Sequence, residues 1–448
     1  MPASPLDSSL YRDLFGDIEL AQLFTDSAEV RAMLLVEGAL AKVQGELGLI
    51  PADSAAFLHS ASMEIQIDPA GLAVETGTNA VPVPALVAAF RKALNAPEHA
   101  QYAHWGATSQ DIMDTALILR LRQVVTIYDS RLTTLIAALG ALAGAHAETP
   151  MAARTYAQIA TPTSFGAVVA AWGAPLIRHR ARLHALRPTL LHVSLSGAVG
   201  TLAAMGPKGP LVRAALAQAL YLADPGASWH STRDTIAEFA GWITNLAASL
   251  GKMGEDLILL TQSGIDEVRL GSGGGSSTMP QKVNPVAPSL LSALARQMVG
   301  LNANMQAAAL HRQQRDGAAW FVEWLSLPQM VIGLGRALAT AGALATTITP
   351  DAPRMRAAIE GGLGLIHAEA LTFVLAQTLP RPEAQAAVKE LTQQARATNT
   401  PLAQLAALRW PDTDWITRLA PEAQMGCAPA EARTFADAAR HPKATPKS

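Results

Sequence analysis

Between Thr235 and Leu260, apolar side chains recur every three or four residues: Ile236, Phe239, Ala240, Ile243, Leu246, Ala247, Leu250, Met253, Leu257 and Leu260. That spacing puts them on one face of an α-helix. An unbroken helix of this length measures roughly 40 Å at about 1.5 Å per residue. A stripe so long needs partners running beside it, and a lone chain could leave part of it wet. Comparable segments at Asp111–His146, Thr163–Leu186 and Pro288–His311 can supply such partners, and Ser27–Leu47 adds a helix that stops at Gly48. Strand-like alternation is not sustained over several segments, and no repeat recurs at a fixed period. The expected fold is all-α, with a central bundle of long helices.

Composition agrees. Half of the residues are apolar but only 5% are aromatic, which suits closely packed helices better than sheets. A chain of 448 residues exceeds one ordinary core. Break signals near Gly106 and at Pro350 and Pro353 divide it into three expected parts: an N-terminal helical domain (1–106), the long-helix bundle (107–350) and a C-terminal helical domain (351–448). The net charge of −2 lacks the basic excess of a nucleic-acid binder. The single cysteine, Cys427, excludes an intramolecular disulfide framework. Asp7, Arg12 and Asp13 stand where a signal peptide needs an apolar run. The uncharged stretches Thr155–Ile177 and Pro188–Pro207 are interrupted by polar residues and glycines, so no membrane span is expected. The expectation is a soluble, cytoplasmic protein. Without an HExxH pair, a phosphate loop or a dinucleotide fingerprint, no metal and no cofactor is implied.

Four segments carry the chemistry. Gly271-Ser-Gly-Gly-Gly-Ser-Ser277 suits neither helix nor strand, and it runs into Gly275-Ser-Ser-Thr-Met-Pro-Gln-Lys-Val-Asn-Pro285. A glycine-rich loop can open and close over a ligand. Ser276 could act there as a base if Lys282 and the loop amides stabilised its alkoxide, and Asn284 could hold a carboxylate. The second segment, His104-Trp-Gly-Ala-Thr-Ser-Gln-Asp111, opens a long helix. Its Thr108 and Ser109 are either plain N-caps or donors to an anion at the helix N-terminus. The third, Arg154-Thr-Tyr-Ala-Gln-Ile-Ala-Thr-Pro162, presents Thr155 and Tyr156. In the fourth, Arg315-Asp-Gly-Ala-Ala-Trp-Phe-Val-Glu-Trp324, the guanidinium suits bidentate binding of a carboxylate, or pairs with Asp316 at the surface.

Together these segments resemble the fumarase/aspartase superfamily, whose pattern Gly-Ser-Ser-x-Met-Pro-x-Lys-x-Asn-Pro is matched by Gly275–Pro285 at every fixed position. The resemblance runs from about Tyr11 to about Ala439. It implies the three-part all-α fold, a homotetramer with active sites shared between subunits, and Ser276 as the base. It also sets Thr108 and Ser109 against a substrate carboxylate and matches His104 to a histidine of adenylosuccinate-lyase-like members. Trp229-His-Ser-Thr-Arg-Asp234 likewise resembles the family, with Arg233 lining or supporting the site.

One departure is informative. In the hydrolyase and lyase branches a histidine stands where this chain has Tyr156, and the glutamate that orients it stands where this chain has Ser289. Both partners are replaced together. An amine or hydroxide leaving group needs an acid to protonate it, whereas a carboxylate, with a conjugate-acid pKa of roughly 4, leaves unaided. The bacterial 3-carboxy-cis,cis-muconate cycloisomerases carry an aromatic residue at this position, and the Arg315–Trp324 segment resembles theirs. The resemblance thus implies cycloisomerisation of a small tricarboxylate, 3-carboxy-cis,cis-muconate, to a carboxymuconolactone in the protocatechuate branch of the β-ketoadipate pathway. Lys282, Asn284, Thr108, Ser109, Thr155 and Arg315 would grip carboxylates while Tyr156 shapes the pocket. Gln281 and Val283 replace the His and Arg of many cycloisomerases, and Gln281 is similar to argininosuccinate lyases. An adenylosuccinate- or argininosuccinate-type lyase is the alternative. A catalytically inactive structural member is a rival of another class, which the intact Ser276, Lys282 and Asn284 argue against.

Overall fold

A computed structural model of the protein describes residues 4–441 apart from Ser272, Ser276 and Ser277. The chain is mostly helical with few strands. Its elements include, in order, α1 (Asp26–Glu46), α2 (Val83–Leu94), α3 (Ser109–Ala145), β1 (Pro150–Thr155), β2 (Gln158–Ser164), α4 (Phe165–Leu190), α5 (Asp234–Leu260), β3 (Val268–Arg269), α6 (Val286–Ala308), α7 (Gly317–Thr347), β4 (Thr349–Pro350) and α8 (Arg381–Thr398). Two compact units emerge. One comprises Met1–Arg131, His179–Ala248 and Ala293–Leu338, the other Leu132–Arg178, Ser249–Ser292 and Ala339–Ser448.

All ten apolar residues of the α5 stripe are buried, none more than 7% exposed. The chain covers its own stripe, so the stripe makes no demand for a second copy. α4 begins at Phe165 rather than Thr163 because Thr163 and Ser164 pair with Met151 and Pro150 across the hairpin. Ser164 Oγ then accepts from the Ala167 amide at 3.1 Å and caps the helix. α7 is an addition to the helices expected; Pro328 in its middle interrupts the helical signal without ending the helix. By length and composition α3 and α7 could cross a membrane. Their charged residues Asp111, Asp114 and Glu323, however, are buried against other elements of the first unit.

In the first unit, α1, α2 and the start of α3 share a core that includes Leu34, Leu40, Leu86, Phe90 and Ile112. Beside it lies Arg233, its side chain 1% exposed. Its Nη1 and Nη2 donate to Asp114 at 2.8 and 3.1 Å, while Nε and Nη2 donate to Glu323 at 3.0 and 2.5 Å. The Trp229 ring covers the guanidinium at 4.6 Å. In the second unit, Leu371, Val388, Leu391, Leu402 and Trp415 form a separate core around α8.

Arg233→Met should cost roughly 3–5 kcal/mol, because it strands two buried carboxylates. Adding Asp114→Leu and Glu323→Leu should recover most of that loss. Urea unfolding midpoints measure both, and a single variant as stable as the parent would show that the cluster contributes little.

Candidate active site

The N-terminus of α3 is organised by one carboxylate. Asp111 is fully buried. Its Oδ1 accepts from the Ser196 amide at 2.7 Å and faces His230 Nε2 at 2.8 Å. Its Oδ2 accepts from the amides of Thr108 and Gly197, both at 3.0 Å. The bond to Thr108 is the return half of a capping box. The other three tie in two loops remote in sequence. Thr115, further along the same helix, donates through Oγ1 to the Ser194 carbonyl at 2.9 Å and accepts from the Ser194 amide at 2.8 Å.

These bonds leave Thr108 free for something besides capping. Arg315 Nη2 stands 3.5 Å from Thr108 Oγ1 and donates to the Ala198 carbonyl at 3.2 Å. Its Nε donates to Gln110 Oε1 at 2.8 Å, and Gln110 Nε2 donates to the His230 carbonyl at 2.9 Å. The neutral Gln110 amide therefore orients Arg315 without cancelling its charge. Arg315 itself is exposed. The alternative surface pairing with Asp316 is not formed; Asp316 accepts instead from Arg312 and from the Ala318 and Ala319 amides, which caps α7. Ser109 forms the first residue of α3 and is half-buried. His104 Nδ1 faces Glu37 Oε1 of α1 at 2.6 Å.

The remaining expected residues lie in the second unit. β1 and β2 are joined by a two-residue turn, Tyr156-Ala157, with φ of 51° and 60°. Both are left-handed, the type I′ geometry that matches strand twist and that L-residues adopt at a cost. Tyr156 is fully exposed at the tip, with Thr155 exposed beside it. Close to that turn, Arg154 is held in place: its Nη1 and Nη2 donate to buried Glu267 at 2.8 and 2.7 Å. β3 and β4 pair next to Glu267.

Described residues on the two arms of the glycine-rich segment pair with each other. The Gly274 and Asn284 amides each donate to the other's carbonyl, at 3.0 and 2.8 Å. A Cβ on Gly273 would lie 2.1 Å from Val283 Cγ1, and one on Gly274 2.7 Å from Val286 Cγ2. The glycines therefore allow the two arms to close. Lys282 is exposed and Asn284 half-buried. Ser276 lies outside the described residues. Among the described residues, no hydrogen bond joins Thr155 or Tyr156 to Lys282 or Asn284. Ser289 Oγ donates to Pro285 O at 2.8 Å, within its own turn.

Glu37, Gln110, Asp111 and His230 are the additions to the sequence-derived set. Asp111 was legible as the acidic residue three positions after an N-cap. The other three meet the segment only through tertiary contacts.

Residues 11–300 match the sequence model of the lyase family. The 3-carboxy-cis,cis-muconate cycloisomerase of Bradyrhizobium diazoefficiens is 39% identical over 93% of this chain and 92% of its own length. The enzyme of the same description from Pseudomonas putida is 38% identical over 88% and 94%. The crystal structure of 3-carboxy-cis,cis-muconate lactonizing enzyme from Pseudomonas putida superimposes with a TM-score of 0.92 at 34% identity, covering 98% of this chain and all of that one.

Asp111→Asn replaces one of two acceptor oxygens by a donor where three amides and an imidazole converge. The expected loss is roughly 2 kcal/mol or more, with faster hydrogen exchange at the Ser196 and Gly197 amides. Exchange at the parent rate would argue that the loop is held by other contacts.

Proposed function

The chain belongs to the lyase family of the fumarase/aspartase superfamily, and from that premise we propose that it interconverts 3-carboxy-cis,cis-muconate and a carboxymuconolactone. What carries this reading is the joint replacement of the general acid and its orienting glutamate by Tyr156 and Ser289. Ser289 turns its hydroxyl to the Pro285 carbonyl, and Tyr156 sits exposed at the hairpin tip. A family reaction without a protonating acid suits a leaving group that needs none.

In the lactone-opening direction, Ser276 takes the proton from the carbon next to a carboxylate, and the lactone C–O bond breaks. The leaving oxygen departs as a carboxylate within the same molecule. In lactonisation the carboxylate oxygen adds across the double bond and Ser276 returns the proton to the neighbouring carbon. No atom is gained or lost. Negative charge on the intermediate enolate is stabilised by nearby donors. In this reading Lys282 and Asn284 act from the glycine-rich loop, Thr155 and Tyr156 from the hairpin, and His104, Thr108, Ser109 and Arg315 from the start of α3 and the loop before α7. The substrate class is a small tricarboxylate, the assembly a homotetramer with shared sites, and the location the cytoplasm. The reaction would serve the protocatechuate branch of the β-ketoadipate pathway, and the three-part division at 106 and 350 accompanies it. Gln281 favours a second reading, an argininosuccinate- or adenylosuccinate-type lyase.

The assay decides between them. The enzyme should consume 3-carboxy-cis,cis-muconate and leave adenylosuccinate, argininosuccinate and malate intact. Tyr156→His with Ser289→Glu should not accelerate lactonisation, because that reaction has no leaving-group proton to deliver. Robust cleavage of argininosuccinate or adenylosuccinate would overturn the cycloisomerase reading.

Sharing of sites has its own test. Ser276→Ala and Arg315→Ala should each be inactive, yet subunit exchange between them should restore part of the activity. Exchange that is proven by mass but restores nothing would place Ser276 and Arg315 of each site on one chain.

A further inference from the structure

Glu37 is 4% exposed and sits inside α1 between the buried residues Leu34 and Leu40. A carboxylate in such surroundings is costly unless paired. One of its oxygens is 2.6 Å from His104 Nδ1, while the other is buried without a partner. An apolar residue would fill the place more cheaply, so the carboxylate's contribution must be sought at the imidazole. His104 is held there against its own preference, with a left-handed φ of 61°. The backbone around it is fixed on both sides. Arg91 of α2 donates to the Ala103 carbonyl at 2.9 Å, and Gln44 of α1 donates to the Trp105 carbonyl at 2.7 Å. Four residues further on comes Thr108, beside Arg315.

We propose that Glu37 is a positioning residue: it fixes the His104 ring through Nδ1 and keeps it an imidazolium, whose Nε2–H is then the donor left for a substrate carboxylate. This rests on the reaction proposed above. The charged groups around His104 are Glu37 from α1, Asp111 from α3 and Arg91 from α2. Burial opposes the proton; Glu37 by charge and hydrogen bond, and Asp111 by charge, favour it, and Arg91 opposes it. The balance raises His104 above its ordinary 6.5. The cationic ring is therefore kept to higher pH than a free histidine would keep it, and is lost as pH rises through the raised value.

The test is the pH dependence of kcat and KM for 3-carboxy-cis,cis-muconate in three variants. Glu37→Gln keeps the shape and removes the charge. At slightly alkaline pH it should raise KM about tenfold while kcat changes less than about threefold. The rise of KM with pH should move to lower pH. Glu37→Asp, which retains the charge, should recover much of the loss, and His104→Gln should abolish this pH dependence. An unchanged profile in Glu37→Gln overturns the proposal. So does a His104→Gln enzyme with the parent profile, an outcome that stays readable even if Glu37→Gln fails to fold. A parent enzyme inactive on this substrate would overturn the reaction reading and this proposal with it. An active parent indifferent to Glu37→Gln overturns this proposal alone.

Discussion

Arg233, closed off from water, is the interaction on which the first unit depends. Two carboxylates, Asp114 and Glu323, share its one guanidinium. Burial and the proximity of Asp114 make Glu323 hold its proton more tightly than an ordinary glutamate, against the pull of Arg233. In a low-dielectric interior such a group accepts little displacement, since parting any pair exposes an uncompensated charge. Asp114 lies one turn beyond Asp111 on α3, so one stretch of helix anchors both the triad and the loops around Thr108. The register of that helix sets the position of the Thr108 hydroxyl beside Arg315.

The polar groups facing solvent are carried by neutral or distant supports. Gln110 holds Arg315 by an amide; a carboxylate there would pair with the guanidinium and compete with any bound anion. Glu267 anchors the hairpin at Arg154, leaving the tip at Tyr156 without an ionic partner of its own. The guanidinium groups of Arg315 and Arg154 are thus each held by a buried acceptor, Gln110 and Glu267.

Backbone geometry adds a second kind of constraint. The turn at Tyr156-Ala157 places a bulky side chain in the left-handed region, where Asn-Gly would be at ease. Strain of this kind persists where surrounding structure imposes it, and here the Arg154–Glu267 pair and the β1–β2 ladder do so. Across the glycine-rich loop the opposite device operates. Gly273 and Gly274 remove side-chain bulk so that Val283 and Val286 can lie against them.

Much of this was legible in the chain itself. The α5 stripe and the main helices to within a few residues follow from periodicity and residue type, because helical amphipathicity and turn preference are local properties. The hairpin was not legible, since its strands find their pairing only in each other and their sequence has no sustained alternation. Nor was α7, whose mid-helix proline hides a helix that packing maintains. Above all, sequence could name Thr108, Arg315 and His104 but not their supports. Gln110 lies 205 positions from Arg315, and Glu37 lies 67 from His104. Pairings across such separations are chosen by the cost of leaving a buried charge or amide unsatisfied, and only the folded core decides which groups are buried.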